Sequence, residues 1–334
     1  MAGHDAGPPG GYSSGCGGAL PGTQNDENEP EEGANNMSLT VVGSVALDTV
    51  ETAAGKNIEG LGGAATYFAL AASHYAPVNM VAIVGDDFPE EHIRLLESRS
   101  INLDGLERAS GKTFRWSGRY HQDMNFRDTL DTQLNVFEHF HPKLPPVARN
   151  SKYLFLGNIH PSLQMEVLEQ ANAGFAGLDT MNLWIDIALD NLKAVLGKVN
   201  VLIINDSEVK EVTGQTNVVK GVDSIRAMGP AIVVVKKGEH GCLLFAGGTV
   251  FSAPAYPLAE VADPTGAGDS FAGGFMGYVA QQDAIDTATL RRAVVHGSVV
   301  ASFTCEKFGP DRLTEIDADD IAARYEAFGD LAAF

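Results

Sequence analysis

Short apolar runs separated by helical stretches constrain this chain most. Leu39-Thr40-Val41-Val42-Gly43 reads as a first buried strand. Further candidates stand at Val78 to Val84, Tyr153 to Leu156, Gly177 to Asp179, Val201 to Ile204 and Ala231 to Val235. Most of these runs are continuously apolar, the pattern of strands buried on both faces. Alternation with helices predicts an α/β fold, a mostly parallel central sheet with helices on both faces. Apolar residues are 44% of the chain, enough for a large core. Asp87-Phe88-Pro89-Glu90-Glu91 reads as a helix start, with an N-cap, Pro near N1 and first-turn acids. Cys242 to Phe245 and Thr249 to Phe251, joined by Ala246-Gly247-Gly248, read as a hairpin. Helices are expected over most of the chain from Gly268 to Phe328.

The chemistry concentrates in Asp263-Pro264-Thr265-Gly266-Ala267-Gly268-Asp269, followed by Ser270-Phe271-Ala272-Gly273-Gly274. This is a glycine-rich turn that opens an apolar helix. The first amides of a helix have no internal acceptor, and that end is positive. An anion such as phosphate binds there readily, and Gly266, Ala267 and Gly268 carry nothing bulky to block it. Asp269, in the first turn, is placed to take a proton from a hydroxyl while the amides stabilise a phosphoryl group.

The string D-P-T-G-A-G-D-S-F-A-G-G resembles the C-terminal signature of the ribokinase family, also called PfkB carbohydrate kinases. Gly60-Leu61-Gly62-Gly63-Ala64-Ala65-Thr66-Tyr67 resembles the family's N-terminal Gly-Gly signature, and Asn205-Asp206-Ser207-Glu208 its N-x-x-E motif. The three stand in the family's order, and the resemblance runs from about Ser38 to the C-terminus. It implies a ribokinase-like domain over 37–334 that transfers the γ-phosphate of ATP to a primary hydroxyl of a carbohydrate or ribosyl substrate. It also implies a small β lid, placed here near 49–59 and 112–122. Within the second segment, Phe114, Trp116, Gly118 and Tyr120 alternate with Arg115, Ser117, Arg119 and His121, so one face is aromatic and the other polar.

By the same resemblance, Asp269 is the base and Gly266, Ala267 and Gly268 form the anion hole. Asp48 grips substrate hydroxyls, and Gly62 and Gly63 let backbone approach the ligand. Tyr67 is a further substrate-binding position that makes the pocket more aromatic; relatives commonly have Asn there, so an expected polar contact is removed. Asn205 and Glu208 order Mg²⁺, directly or through water. Lys236, Gly238 and Gly241 line the nucleotide site; Lys236 either contacts phosphates or is a solvated strand end. Asp263 and Thr265 match a monovalent-cation site of some relatives, hence K⁺. Trp116 and its aromatic face either stack on a nucleoside base, pack on the domain, or join a second subunit in a homodimer through the lid. A nucleoside kinase is therefore the alternative to a sugar kinase. A catalytically silent ligand-binding regulator on the same fold is the non-kinase alternative, against which the intact Asp269 argues.

Other classes are disfavoured. Gly60-x-Gly62-x-x-Ala65 lacks the apolar strand that a dinucleotide fingerprint needs before it. Gly111-Lys112-Thr113 lacks a correctly spaced upstream glycine for a phosphate loop. A formal charge of −20 argues against a nucleic-acid or anionic-membrane partner. No apolar run reaches transmembrane length. The widely spaced Cys16, Cys242 and Cys305 fit a reducing cytoplasm. Residues 1–36 carry six acids and no Lys or Arg, and read as a disordered acidic tail rather than a signal peptide. A chain starting at Met37 is therefore expected to keep the ATP turnover and melting temperature of the full chain. A large loss of either would show that the tail belongs to the working fold.

Overall fold

The apolar runs form strands, and these strands bury both faces. The structure, a computed structural model, describes residues 38–333; the acidic segment 1–36 lies outside them. In chain order the strands are β1 (Leu39–Val42), β2 (Ala46–Thr52), β3 (Gly55–Gly62), β4 (Val78–Gly85), β5 (Ile101–Ala109), β6 (Phe114–Tyr120), β7 (Arg127–Gln133), β8 (Tyr153–Leu156), β9 (Phe175–Asp179), β10 (Val201–Asn205), β11 (Ile232–Lys236), β12 (Cys242–Ala246) and β13 (Thr249–Ala253). Nine of them make the main sheet, in the order β13-β12-β11-β10-β9-β8-β1-β4-β5. It is parallel from β11 to β5, and β12 and β13 add the antiparallel hairpin at one edge. Along β4, Val78, Met80, Ala82 and Val84 enter one core, while Val81 and Ile83 enter the core on the opposite face. Period-two alternation thus divides one strand between two apolar layers.

On the first face, the helix Ala267–Gln282 packs against the helix Ala64–Ala72. The approach is closer than side chains ordinarily permit. A Cβ on Gly273 would collide with the Phe68 carbonyl oxygen, and one on Gly277 would stand 3.0 Å from Ala72 Cα. On the other side, a Cβ on Gly274 would stand 3.1 Å from Gly297 Cα in the helix Thr287–Thr304. Beneath this stack, Phe68 lies ring on ring with Phe155 of β8, centroids 4.4 Å apart. These contacts set the Gly-Gly turn beside the Asp263–Asp269 loop.

The remaining four strands form a second sheet, in the order β3-β2-β6-β7. It is the expected lid, with corrected membership. The 49–59 segment is two antiparallel strands, β2 and β3, that turn at Ala53-Ala54. The 112–122 segment contains β6, which runs parallel to β2. The fourth strand, β7, has every residue exposed, so its sequence carries no burial pattern to read. The edge strand β5 is hidden for a related reason: only Ile101 is fully buried.

The predicted helix start at Asp87 also needs correction. The helix is Glu90–Ser98 with Pro89 at the N-cap and no side-chain cap. Asp87 instead accepts from Thr113 N at 2.7 Å and Thr113 Oγ1 at 2.8 Å, and pairs with Arg115 at 2.9 Å. Arg115 continues to Glu59 of β3 at 2.8 Å, so this ion pair network ties lid to body. Gly60 and Gly62 lie in β3, which excludes a dinucleotide turn there, and Thr113 is buried against Gly85 N and Asp87, which excludes a phosphate loop.

Gly273→Ala is expected to destabilise by about 1–3 kcal/mol, the usual cost of overpacking, because the obstacle is backbone and cannot rotate away. Chemical denaturation measures it. An unchanged midpoint would show that the helices tolerate separation.

Candidate active site

The site is built where the ends of β2, β9, β10 and β11 meet the start of the helix Ala267–Gln282. Gly266 is that helix's N-cap, left-handed at φ 76°, with no side-chain cap. A Cβ there would collide with the Tyr67 ring, so the turn lies flat on that ring. Asp263 is fully buried and holds the turn's shape. One of its oxygens accepts from Thr265 N at 2.9 Å and the other from Gly309 N at 3.1 Å. Both thus anchor main-chain amides, and each oxygen keeps a second lone pair. Thr265 Oγ1 meets Tyr120 Oη of the lid at 3.2 Å. Of the helix's first amides, Ala267 N donates to Pro264 O at 3.2 Å and Ser270 N to Gly266 O at 2.8 Å, with Gly268 and Asp269 between them.

Asp269 shares the cleft with Lys236 and Asp179. Burial first, and then the Asp179 charge, push the Asp269 carboxyl up to about 7, against the opposing pull of Lys236 and Arg127. Lys236 closes β11 and donates to Asp179 Oδ1 at 3.4 Å. Its Nζ would stand 3.1 Å from a Cβ on Gly268, so glycine there leaves room for the ammonium. Burial disfavours the Lys236 charge, but Asp179, Glu208 and Asp269 outweigh burial and raise its pKa. Lys236 is therefore a held cation at the loop rather than a solvated strand end.

Asn205 and Glu208 form a capping box at the end of β10. Asn205 Oδ1 accepts from Glu208 N at 2.8 Å, and Asn205 N donates to Glu208 Oε2 at 2.9 Å. Burial, with a further contribution from Asp179, pushes Glu208 up to about 7 despite Lys236. The hard oxygens of Asp179, Asn205 and Glu208 suit Mg²⁺. Among the described residues no group of three or more His, Cys, Asp and Glu side chains could hold a metal alone. This donor set fits an ion that arrives on nucleotide phosphates and keeps several waters.

Asp48 lies within β2 and is buried. Gly62 makes room for it, since a Cβ there would overlap its carboxylate. Burial raises Asp48 to about 7, a Gly63 amide hydrogen bond opposes this, and Asp263 and Asp269 add to it. The other donors of the Gly-Gly turn serve structure: Ala64 N and Ala65 N go to Ser44 Oγ at 3.1 Å and Ser44 O at 2.9 Å. Trp116 is directly opposite Asp48 in the β2–β6 register and therefore shares its face. Its ring covers Gly118 and its Nε1 donates to Thr129 Oγ1 at 3.3 Å.

Tyr67 corrects an expectation. It is 1% exposed and supports Gly266 from beneath, so it presents no surface to a ligand. Its hydroxyl is unpartnered, and burial with the nearby Asp48 and Asp263 charges pushes its pKa well above the usual value.

Beside the loop opens a cavity of about 920 Å³. Lys236, Gly238 and Gly241 line it as expected, together with Gly268, Phe271, Tyr256, Ser298, Ser302 and the lid residues Gln122 to Asn125. Cys242 and Cys305 also line it. Asp179, Arg127 and the 122–125 tip escaped the sequence reading. Asp179 had a usable signal, a carboxylate closing an apolar strand as Asn205 and Lys236 do.

The pfkB family carbohydrate kinase profile matches residues 37–316. A cytidine kinase of Thermococcus kodakarensis is 28% identical over 247 residues, 72% of this chain and 87% of that protein. The crystal structure of a nucleoside kinase from Methanocaldococcus jannaschii, an archaeal member of the ribokinase family, superposes with a TM-score of 0.72. It is 21% identical and covers 88% of this chain and 100% of that one. A ribokinase-II-type protein from E. coli in complex with ATP and Mg²⁺ also superposes at 0.72, with 18% identity, covering 88% of this chain and 99% of that one.

Asp48, Glu208 and Asp269 all hold protons in the folded chain that ordinary carboxylates release near pH 4. With folded pKa values raised, each contributes stability that is full below about pH 4 and is lost as pH rises through about 7. The ligand-free Tm is expected to fall between pH 5 and pH 8, and Asp269→Asn to melt above wild type at pH 8 but not at pH 4. A Tm that rises across this interval would contradict the assignment.

Proposed function

Because the chain belongs to the pfkB family of carbohydrate kinases, we propose that its acceptor is a nucleoside, phosphorylated on the primary hydroxyl of its ribose. The chain is an ATP-dependent phosphotransferase with an alcohol group as acceptor. One observation carries the nucleoside reading: Trp116 stands directly across from Asp48 on the same face of the lid sheet. A carboxylate for sugar hydroxyls and a flat aromatic for a base thus lie side by side. Base–aromatic stacking is worth about 1–3 kcal/mol. The similarity to a cytidine kinase supports the same reading over a free sugar.

In this mechanism the nucleotide occupies the 920 Å³ cavity, bordered by Gly238 and Gly241, with its phosphates toward Lys236 and Gly268. Asp48 holds ribose hydroxyls. Asp269 takes the proton of the attacking hydroxyl, and its raised pKa suits a general base near neutral pH. The Gly268 amide in the turn after Gly266 stabilises the phosphoryl group in flight, while Ala267 N donates to Pro264 O at 3.2 Å and holds the turn. Asn205, Glu208 and Asp179 would hold Mg²⁺ brought in with ATP, which would neutralise phosphate charge. Lid closure excludes water and limits futile ATP hydrolysis.

Two finer points belong to the same proposal. Exposed Ile58, Phe126 and Leu130 on the lid support a homodimer joined there. Free Cys242 and Cys305 support a cytoplasmic setting, and among the described residues no helix is long and apolar enough to cross a membrane.

ATP consumption across a panel of nucleosides and free sugars tests the reading. Turnover is expected with nucleosides, and Asp269→Asn is expected to lose about 10²–10⁴-fold. Trp116→Ala should lower kcat/KM for the nucleoside more than for ribose. An equal fall for both would remove the stacking argument.

A further inference from the structure

Arg324 stands on the C-terminal helix Ala318–Ala332, behind one wall of the 920 Å³ cavity. It does not line the cavity itself, yet it holds side chains that do. Its Nη1 donates to Ser302 Oγ at 3.0 Å, and its guanidinium carbon lies 4.9 Å from the Tyr256 ring centroid. Ser302 and Tyr256 both border the cavity. The same guanidinium carbon lies 3.4 Å from the Phe303 ring centroid, and Nη2 donates to Glu306 Oε1 at 2.6 Å. Glu306 Oε2 accepts from Arg312 Nε at 3.0 Å. Glu306 follows Cys305, which borders the cavity and whose carbonyl accepts from Ala262 N at 2.9 Å. Arg324 lies beyond residues 37–316, so the family's motifs do not account for it.

This wall suits a base rather than phosphates. Tyr256, Leu258, Val261, Phe271 and Ala301 are apolar or aromatic, whereas Lys236 and Gly268 border the part assigned above to the phosphates. Tyr256 belongs to the run 254–261, which forms no helix or strand, so its position depends on what packs against it. A flat guanidinium over its ring supplies such a contact. Ser302 shows which bases fit. A serine hydroxyl has one proton and two lone pairs. The proton goes to Val299 O at 2.6 Å, and one lone pair receives Arg324. The remaining lone pair can only accept. It matches the amino group of adenine or cytosine and does not match an oxo group.

We propose that Arg324 is a positioning residue for the phosphate donor: it sets Tyr256 against the nucleotide base and holds Ser302 as a hydrogen-bond acceptor, so that the site selects a donor base with an exocyclic amino group. The proposal rests on the kinase reading above and on the nucleotide occupying this cavity. Arg324 touches neither the phosphates nor the reacting atoms. Its loss therefore acts on donor binding and donor choice, not on the chemical step.

The test compares MgATP with the magnesium complex of inosine triphosphate, which carries an oxo group in place of adenine's amino group. The best nucleoside of the panel is the acceptor. Wild type should favour MgATP in kcat/KM by about 5- to 100-fold, the range for leaving a buried polar group unmatched. Ser302→Ala should bring the two donors close to equality. Arg324→Ala should raise KM for MgATP about tenfold, with kcat and the acceptor KM within about twofold of wild type. It should also weaken the preference between donors, because the Ser302 hydroxyl is then free to turn and donate. Arg324→Lys keeps an ion pair with Glu306 but loses the flat stack and the second donor. It should keep the wild-type Tm and still lose donor preference. An unchanged MgATP KM and an unchanged donor preference in both Arg324 variants would overturn the proposal and leave the kinase reading standing. Equal use of both donors by wild type would do the same. A fall in kcat and a rise in both KM values that track a lower Tm, with donor preference kept, would overturn it in favour of a role in holding the fold. A wild type inactive on the whole panel would remove the kinase reading and this proposal with it.

Discussion

The contact between Gly273 and the Phe68 backbone sets the distances on which the chemistry depends. It brings two helix starts, at Gly63 and Gly266, closer than any side chain would allow. From that approach follow the flat seating of Gly266 on the Tyr67 ring and the gathering of Asp48, Asp263 and Asp269 in one region. Neither turn is shaped by its own sequence alone. Asp263 reaches Gly309, 46 residues away, and the Gly-Gly turn reaches back to Ser44.

That geometry concentrates carboxylates, which is unfavourable in an empty cleft. Burial and mutual repulsion raise Asp48, Glu208 and Asp269 together, and Lys236 offsets only part of it. Such a cleft is poised for a ligand that brings its own cation. Magnesium-bound ATP meets this description, and a bare anion does not. The raised Asp269 pKa is then a product of burial and of the neighbouring Asp179 charge. The stability lost there is a local expense of function.

The lid connects the two halves of the reaction. Its base is fixed by the Glu59–Arg115–Asp87 network, and its aromatic face carries Trp116 and Tyr120 toward the body. Its outer face is charged, as in the Glu51–Arg119 pair, and so remains in water. The hairpin tip at Asn125 touches Glu239 in the loop after β11, so one element spans both ends of the cleft.

The strands of the main sheet were legible because burial on both faces demands apolar residues throughout. The same requirement made β10 and β11 visible, and with them Asn205 and Lys236 at their ends. The Gly266 turn and Asp269 were legible because a helix start near an anion accepts few residue types. What escaped lacked such a demand. β7 is exposed along its whole length, so its polar sequence gives no burial pattern to read. Tyr67 read as a ligand contact, yet the glycine stacking of two helices buries it. Asp179 became part of the site only when β9 was laid beside β10. Sequence by itself determined the local elements and the reactive loop, since those follow from the burial and conformational needs of neighbouring residues. Only the tertiary structure decided which distant charges share the cleft, because Coulomb interactions depend on distances in space that chain order does not fix.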